Sequence, residues 1–338
     1  MDKSTSNSII KNALVVLVFL AFCLGIFFLI KRSKLPYYFT LASDFISTPI
    51  EKIKSDNERV NILLLGKADK DHAGSDLTDT IIFASVSLAK PNITLISIPR
   101  DVWVPEIRAK VNSAYYWGNQ REEGGGLKLV KSTMDQIFGV PVHYGLVVDF
   151  SGFKSVVDVL GGVDVDVQNS FVDDKYPIAG KENDLCNGDK TYKCRYEVVK
   201  FEKGKQLMDG ETALKFVRSR NATGDEGTDI AREARQQLVI GAIKEKILSP
   251  ETLRSPRKLF GLTTVALDSI ETDMNGSAAV IVARKVINDS SGIKFSLIPN
   301  NFLEHPAVSP KYDNQYVFIP KGGSWSSFHS WVQNLLSS

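Results

Sequence analysis

The sequence predicts a layered α/β domain, for two reasons. Three apolar, β-branched runs of strand length, Val60-Asn-Ile-Leu-Leu-Leu-Gly66, Thr80-Ile-Ile-Phe-Ala-Ser-Val-Ser-Leu88 and Ile93-Thr-Leu-Ile-Ser-Ile98, follow one another between Gly, Lys-Pro-Asn and Pro breakers. Beyond them, segments of helical and strand periodicity alternate, which sets helices against a sheet. The apolar content of the three runs marks them as central strands buried on both faces.

Residues 1–12 read as a short cytoplasmic N-terminus, and Ala13 to Ile30 carry no charge. About 18 such residues are enough to cross a bilayer, so 13–30 is expected to be one transmembrane helix. A cleaved signal peptide is the rival reading, but no Ala-x-Ala-like site follows the run. Lys3 and Lys11 before it compete with Lys31, Arg32 and Lys34 after it, so charge alone does not orient it. Residues 31–58 read as a membrane-proximal linker and 59–338 as one outer domain.

Within that domain, Leu127, Val130, Met134 and Ile137 share one side of a helix from Gly126 to Phe138, which Gly139 stops. The Gly124-Gly-Gly126 run ahead of it lacks the Lys-Ser/Thr of a phosphate loop and reads as a flexible turn. A strand from His143 to Val148, a helix capped by Ser151 and an alternating strand Val163-Asp-Val-Asp-Val167 follow. Phe171 to Lys200 is polar and reads as a surface loop, with Cys186 and Cys194 close enough for a small disulfide or for two free thiols. Phe216-Val-Arg-Ser-Arg220 ends an apolar run read as a strand, and Asp229 opens a long helix that runs to Ile247 before Pro250. The tail keeps apolar periodicity from Leu259 to Ile270 and Ala278 to Val286, then strand-like Phe295 to Ile298 and Tyr316 to Ile319.

Candidate chemistry is concentrated where these elements end. A formal net charge of +2 argues against a nucleic-acid binder, and no helix-turn-helix signal is present. Four scattered histidines and the absence of His-Glu-x-x-His and Gly-x-Ser-x-Gly argue against zinc and serine hydrolase chemistry. Arg100, in Ile98-Pro-Arg-Asp101, follows a buried strand where open α/β sheets form ligand crevices. Arg218 and Arg220 are two apart, so an extended segment would aim both at one face, where an anion relieves their repulsion; the plain alternative is a solvated surface pair. Asp229, Arg232 and Gln236 share one face of the long helix, with Arg235 beside it. Asp69, Asp71, Asp76 and Asp79 lie between two strands, where magnesium bridging a phosphate fits better than calcium because the bidentate acid of an EF-hand is missing; an acidic turn without metal is the other reading.

These motifs, in this order, resemble the LytR-CpsA-Psr family of membrane-anchored cell-wall enzymes from Val60 to at least Leu248. The resemblance is carried by Asn61-Ile-Leu-Leu-Leu-Gly66, Thr78-Asp-Thr80, Ser97-Ile-Pro-Arg-Asp101, Lys110-Val-Asn-Ser-Ala-Tyr115, Phe150-Ser-Gly-Phe153, Leu160-Gly-Gly-Val-Asp-Val165, Val217-Arg-Ser-Arg220 and Asp229-x-x-Arg-x-x-Arg-Gln236. It implies a three-layer α/β/α sandwich with a central mixed sheet, preceded by one N-terminal transmembrane helix, with the catalytic domain outside the cell membrane. It also implies a transferase that attaches a polyprenyl-pyrophosphate-linked glycopolymer to peptidoglycan through a phosphodiester bond. Arg100, Lys110, Arg218, Arg220, Arg232 and Gln236 would then bind pyrophosphate. Asp79 and Asp69 would hold Mg²⁺, with Asp76 competing for the second place because Gly66-Lys-Ala-Asp69 departs from the simpler Gly-Val-Asp pattern. Arg100, Asp101, Asp229 and Arg232 are the candidates for catalysis, either aspartate orienting an arginine or taking a proton. With water as nucleophile the same site would be a pyrophosphatase, and without turnover a lipid-carrier-binding regulator.

Overall fold

The computed structural model of the chain describes residues 53–69, 76–289 and 292–337, together with Ser43 and Pro49. The expected transmembrane helix at 13–30 lies outside the described residues. Among the described residues no helix is long and apolar enough to cross a membrane. The chain divides into two units: Lys54–Met274 with Lys285–Ser338, and Met1–Ile53 with Asn275–Arg284.

In chain order the elements are β1 (Arg59–Lys67), β2 (Thr78–Ser87), β3 (Ile93–Ser97), β4 (Trp103–Val104), β5 (Ala109–Lys110), α1 (Ala114–Arg121), α2 (Gly125–Phe138), β6 (Tyr144–Asp149), α3 (Phe150–Leu160), β7 (Val163–Val167) and β8 (Phe171–Pro177). They continue with β9 (Tyr196–Phe201), β10 (Gly204–Met208), α4 (Gly210–Arg218), α5 (Asp229–Leu248), α6 (Pro250–Leu253), α7 (Pro256–Ser269), β11 (Ile270–Thr272), α8 (Gly276–Asn288), β12 (Ile293–Leu297), β13 (Leu303–Glu304), β14 (Ile319–Pro320) and α9 (Ser326–Ser337). In the smaller unit the described residues begin α8, where the Asn275 Oδ1 accepts from the Ala278 N–H at 2.8 Å.

A mixed sheet in the order β11-β6-β1-β2-β3-β12 organises the larger unit. The pairs β1–β2, β2–β3 and β6–β11 are antiparallel, while β1–β6 and β3–β12 are parallel. The three sequence-predicted central strands are indeed adjacent and buried. Leu63, Leu65, Ile81, Phe83 and Ile96 turn to one face, where Val130, Met134 and Phe138 of α2 and Phe328 and Val332 of α9 close a single core. On the opposite face the Gln236 side chain of α5 donates to the Thr80 hydroxyl of β2 (3.2 Å). A second core joins α3, α4, α5, the β7–β10 pair and the β8–β9 pair around Leu160, Val165, Phe171, Phe201, Phe216 and Val239.

Several local expectations are corrected. Gly210 to Arg218 is a helix, not a strand: Asp209 caps it by accepting from the Thr212 N–H (2.8 Å), and Ala213, Leu214 and Phe216 are its buried positions. A short apolar run does not separate the two periods without its cap. The cap of α3 is Asp149, which accepts from the Gly152 N–H (2.8 Å), rather than Ser151. Phe171 to Lys200 is not simply a loop, because its ends pair as β8 and β9 and only its tip is irregular, closed by the Cys186–Cys194 disulfide. Of Tyr316 to Ile319, only Ile319 enters a strand. The Gly124-Gly-Gly126 run is not flexible either: a Cβ on Gly125 would lie 2.4 Å from the Gly118 carbonyl oxygen, so α1 and α2 meet through glycine backbones.

Two predictions follow from this packing. Gly125→Ala should lower stability by about 1–3 kcal/mol, the cost of overpacking, read as a lower urea midpoint. His143 accepts the Asn61 N–H at its Nδ1 (2.9 Å), and burial holds the imidazole below its ordinary pKa. The neutral ring is therefore the folded form: its contribution is complete above a pH of about 6.5 and is lost as pH falls through the lower folded value. The melting temperature should drop on acidification from neutral pH, and His143→Gln should blunt that drop.

Candidate active site

At the carboxyl ends of β1 and β6, where parallel strands open into a crevice, lies a cavity of about 620 Å³. Arg100, Arg218, Arg220 and Arg232 all line it, with Asp79 and Gln236. Thr80, Asp149, Asn221 and Thr228 also line it, and one wall is apolar, built from Phe150, Phe153, Leu214, Val217, Val239 and Ile240. A charged head and an apolar trough thus share one space.

The arginines come from different segments, with Arg220 in the stretch just after α4. Arg100 leaves β3 through Pro99 and pairs with Asp79 of β2, Nη1 to Oδ1 at 2.5 Å. Arg218 ends α4, its guanidinium 4.2 Å over the Phe150 ring and its Nη1 donating to the Tyr176 hydroxyl at 3.2 Å. Stacking on an aromatic face holds a guanidinium without neutralising it. Burial pushes the Tyr176 phenol up to about 12, against the opposing charge of Arg218, so it stays protonated. Arg232 lies one turn into α5 and is only 7% exposed. The start of that helix, at Gly227 and Thr228, also faces the cavity, and a helix N-terminus favours an anion.

A buried frame lies beneath these groups. Asp173 of β8 is fully buried, and its carboxylate accepts from the N–H groups of Lys175 (3.0 Å), Arg220 (3.0 Å) and Asn221 (3.2 Å). Arg235, 3% exposed, donates to the carbonyls of Phe216 (3.0 Å), Ser219 (2.6 Å) and Glu226 (2.9 Å) and pairs with the Glu226 carboxylate at 2.8 Å. Desolvation lowers its pKa, and the Glu226 charge opposes that shift. With its donors committed in this way, Arg235 serves the framework instead of the ligand.

The other sequence-predicted residues divide. Lys110 does not line the cavity; its ammonium sits 2.6 Å from Asp101, which also faces the Arg100 Nε at 3.8 Å. The backbone of Asp229 opens α5, while its side chain lies outside what the structure describes. Asp79 reaches the cavity and is 48% exposed at its side chain. Asp69 accepts from the Ser151 N–H (2.8 Å) at the start of α3, and Asp76 lies near enough to Tyr115 to help raise that phenol's pKa, after burial and the Glu271 hydrogen bond. A carboxylate in a cavity lined by arginines fits magnesium, which needs one or two acids and takes its other ligands from phosphate and water. Among the described residues, the one cluster of three close metal-ligating groups is Asp184 with Cys186 and Cys194, and that pair is a disulfide.

Phe150, Tyr176, Asp173 and Asn221 were not foreseen as site residues. A signal existed in Phe171-Val-Asp-Asp-Lys-Tyr176, where Phe171 and Asp173 alternate with exposed neighbours. A carboxylate at an inward position hides a strand from a search for apolar alternation.

The LytR_cpsA_psr family pattern matches residues 40–331. The chain is 29% identical over 211 residues to the Bacillus cereus polyisoprenyl-teichoic acid–peptidoglycan teichoic acid transferase TagU, covering 61% of this chain and 59% of that protein. It is 28% identical over 215 residues to the Staphylococcus aureus regulatory protein MsrR, covering 62% and 55%. The chain thus spans under two thirds of the length of these relatives. The crystal structure of Bacillus subtilis TagV superposes with a TM-score of 0.58 at 23% identity, over 84% of this chain and 99% of that one, which establishes the shared fold.

The frame gives a prediction. Asp173→Ala should take the shared acceptor from the Lys175, Arg220 and Asn221 N–H groups and cost roughly 1–3 kcal/mol in urea unfolding. Asp173→Asn, which keeps one carbonyl acceptor, should cost less.

Proposed function

Because the chain belongs to the LytR_cpsA_psr family, we propose that it is a phosphotransferase attaching a polyprenyl-pyrophosphate-linked glycopolymer to peptidoglycan through a phosphodiester bond. One observation carries the reading: four arginines and a long apolar wall line the same cavity, which matches an anionic headgroup on a lipid tail. A free nucleotide or sugar phosphate would have no use for the trough beside Phe153, Val239 and Ile240. The names of TagU and its relatives, which refer to polyisoprenyl-linked teichoic acid and peptidoglycan, support the same pair of substrates.

The chemistry needs little beyond position and charge. The acceptor hydroxyl oxygen bonds to the sugar-side phosphorus, the pyrophosphate bridge breaks, and polyprenyl phosphate leaves. Arg100, Arg218, Arg220 and Arg232 would stabilise charge on the transferred group and the leaving phosphate, the main source of catalysis in phosphoryl transfer. Their fixed placement matters, because groups already oriented pay no reorganisation at the moment of reaction. Asp79, with Asp69 or Asp76 from the preceding loop, would hold Mg²⁺, which when bound supplies Lewis-acid neutralisation of phosphate oxygens. Lys110 pairs with Asp101 and holds it in place beside Arg100.

We place the catalytic unit outside the membrane, tethered by the uncharged segment at 13–30. The Cys186–Cys194 bridge supports that side, since disulfides persist in oxidising compartments.

The test incubates the full chain in detergent with a polyprenyl-pyrophosphate glycan, Mg²⁺ and peptidoglycan. Transfer should require acceptor, be abolished by EDTA and be restored by Mg²⁺. Arg218→Ala should slow it by roughly 10²–10³, the usual effect of deleting one charge-stabilising donor, and Asp79→Asn should impair it. Equal release of polyprenyl phosphate without acceptor would instead mark a hydrolase, and binding of the glycolipid without turnover a carrier-sensing regulator.

A further inference from the structure

A second cavity, of about 580 Å³, adjoins the first: Arg100 and Arg232 line both. Pro99, Asp101 and Glu233 flank those arginines, and the rest of its lining comes from segments that the proposed headgroup site does not use, namely Leu297 to Asn300, Leu303 to His305 and Phe318. Its electrostatics differ in kind. The first cavity sets four arginines against Asp79 and Asp149, whereas the second sets two arginines against Asp101, Glu233 and Glu304. With half the arginines and more carboxylates, and with Asp101 paired to Lys110, it is a poorer site for a second phosphate. Hydroxyl groups would be welcomed, because ionised carboxylates accept their hydrogen bonds and the Asn300 amide both donates and accepts.

The walls fit a sugar ring as well as its hydroxyls. Leu297, Ile298 and Pro299 give an apolar floor. The His305 ring lies 3.9 Å from that of Tyr316, and Tyr316 packs edge-on to Phe318, forming an aromatic rim. The His305 Nδ1 lies 3.0 Å from the Val317 carbonyl oxygen, so this nitrogen carries the hydrogen and Nε2 is left as an acceptor in the neutral ring. A mostly apolar concavity with a few convergent polar groups is the usual form of a small-molecule site.

We infer that this second cavity is the acceptor subsite: it binds a neutral, hydroxyl-rich carbohydrate and delivers one hydroxyl to the phosphorus held by Arg100 and Arg232. The inference rests on the transferase reading above and names the part of the molecule that selects the acceptor. An in-line displacement needs nucleophile and leaving group on opposite sides of phosphorus, and a wall of two arginines shared by two cavities provides that division. The acceptor oxygen forms its bond to phosphorus as the bridging P–O bond breaks, and its proton passes to the Asp101 carboxylate, which lines the same cavity. Asn300, Glu304 and His305 are binding residues here and take no part in the transfer step.

The test uses the full chain in detergent, the lipid-linked glycan donor with Mg²⁺, and soluble peptidoglycan fragments as the varied acceptor. His305→Ala and Asn300→Ala are compared with wild type and with Arg218→Ala. Each subsite variant should raise the acceptor KM by roughly tenfold, the worth of one or two hydrogen bonds, while donor affinity stays within about twofold by direct titration. Arg218→Ala should show the converse, weaker donor binding with acceptor KM little changed. Glu304→Gln guards against misfolding as the cause: it should shift acceptor KM with an unaltered melting curve. Unchanged acceptor KM in all three subsite variants, or a parallel loss of donor affinity, overturns the subsite while leaving the transferase reading intact. No transfer by wild type at any acceptor concentration overturns the transferase reading, and the subsite with it.

Discussion

The Arg235 guanidinium, buried beneath the cavity, ties together the three segments that carry most of the site's charge. It reaches the last turn of α4 at Phe216, the bend between Arg218 and Arg220 at Ser219, and the turn before α5 at Glu226. It also belongs to α5, the helix of Arg232 and Gln236. Removing one partner of such a buried pair usually costs more than the pair contributes, because the remaining charge stays desolvated. The arrangement therefore behaves as a unit: once Arg235 is satisfied, the spacing of Arg218, Arg220 and Arg232 is fixed.

That fixed spacing answers a physical difficulty. Cations brought into one cavity repel each other, and an unconstrained loop would let them separate into water. Here the backbone of Arg220 is held by the buried Asp173 carboxylate, Arg218 is stacked on Phe150, and Arg100 is drawn to Asp79. These contacts hold the cations in one cavity, where a bound anion would offset what repulsion is left. Asp101 has a parallel role beside Arg100, where Lys110 pairs with it. Stability spent in assembling like charges is recovered when the ligand arrives, and the two cores above and below supply the rigidity that makes this workable.

Much of this was legible in the chain itself. The strands β1, β2 and β3 announced themselves by uninterrupted β-branched residues, and Arg100 by its place just after one of them. Arg232 and Gln236 were found because helical spacing put them on one face. The reading failed where polar groups took structural places. Gly210 to Arg218 was mistaken for a strand because its helix depends on a single cap at Asp209. The strand β8 was missed because Asp173 occupies an inward position. The glycines at 124–126 looked like slack, whereas Gly125 is required by the close approach of α1 and α2.

The class of fold, the family and the identity of the charged groups can be read from the chain alone, since they depend on local periodicity and on residue types in a fixed order. Only the tertiary structure decided that Arg100 and Arg232 stand between two cavities of different charge, that Arg218 rests on Phe150, and that Lys110 serves Asp101. The first two of those relations join residues more than 60 positions apart, and they are set by how helices pack beside a mixed sheet, which no run of neighbouring residues encodes. The same distinction explains the two buried residues of the frame. Arg235 and Asp173 look like surface charges in the chain, and they become core elements only because folding surrounds them with the backbone groups that can replace water.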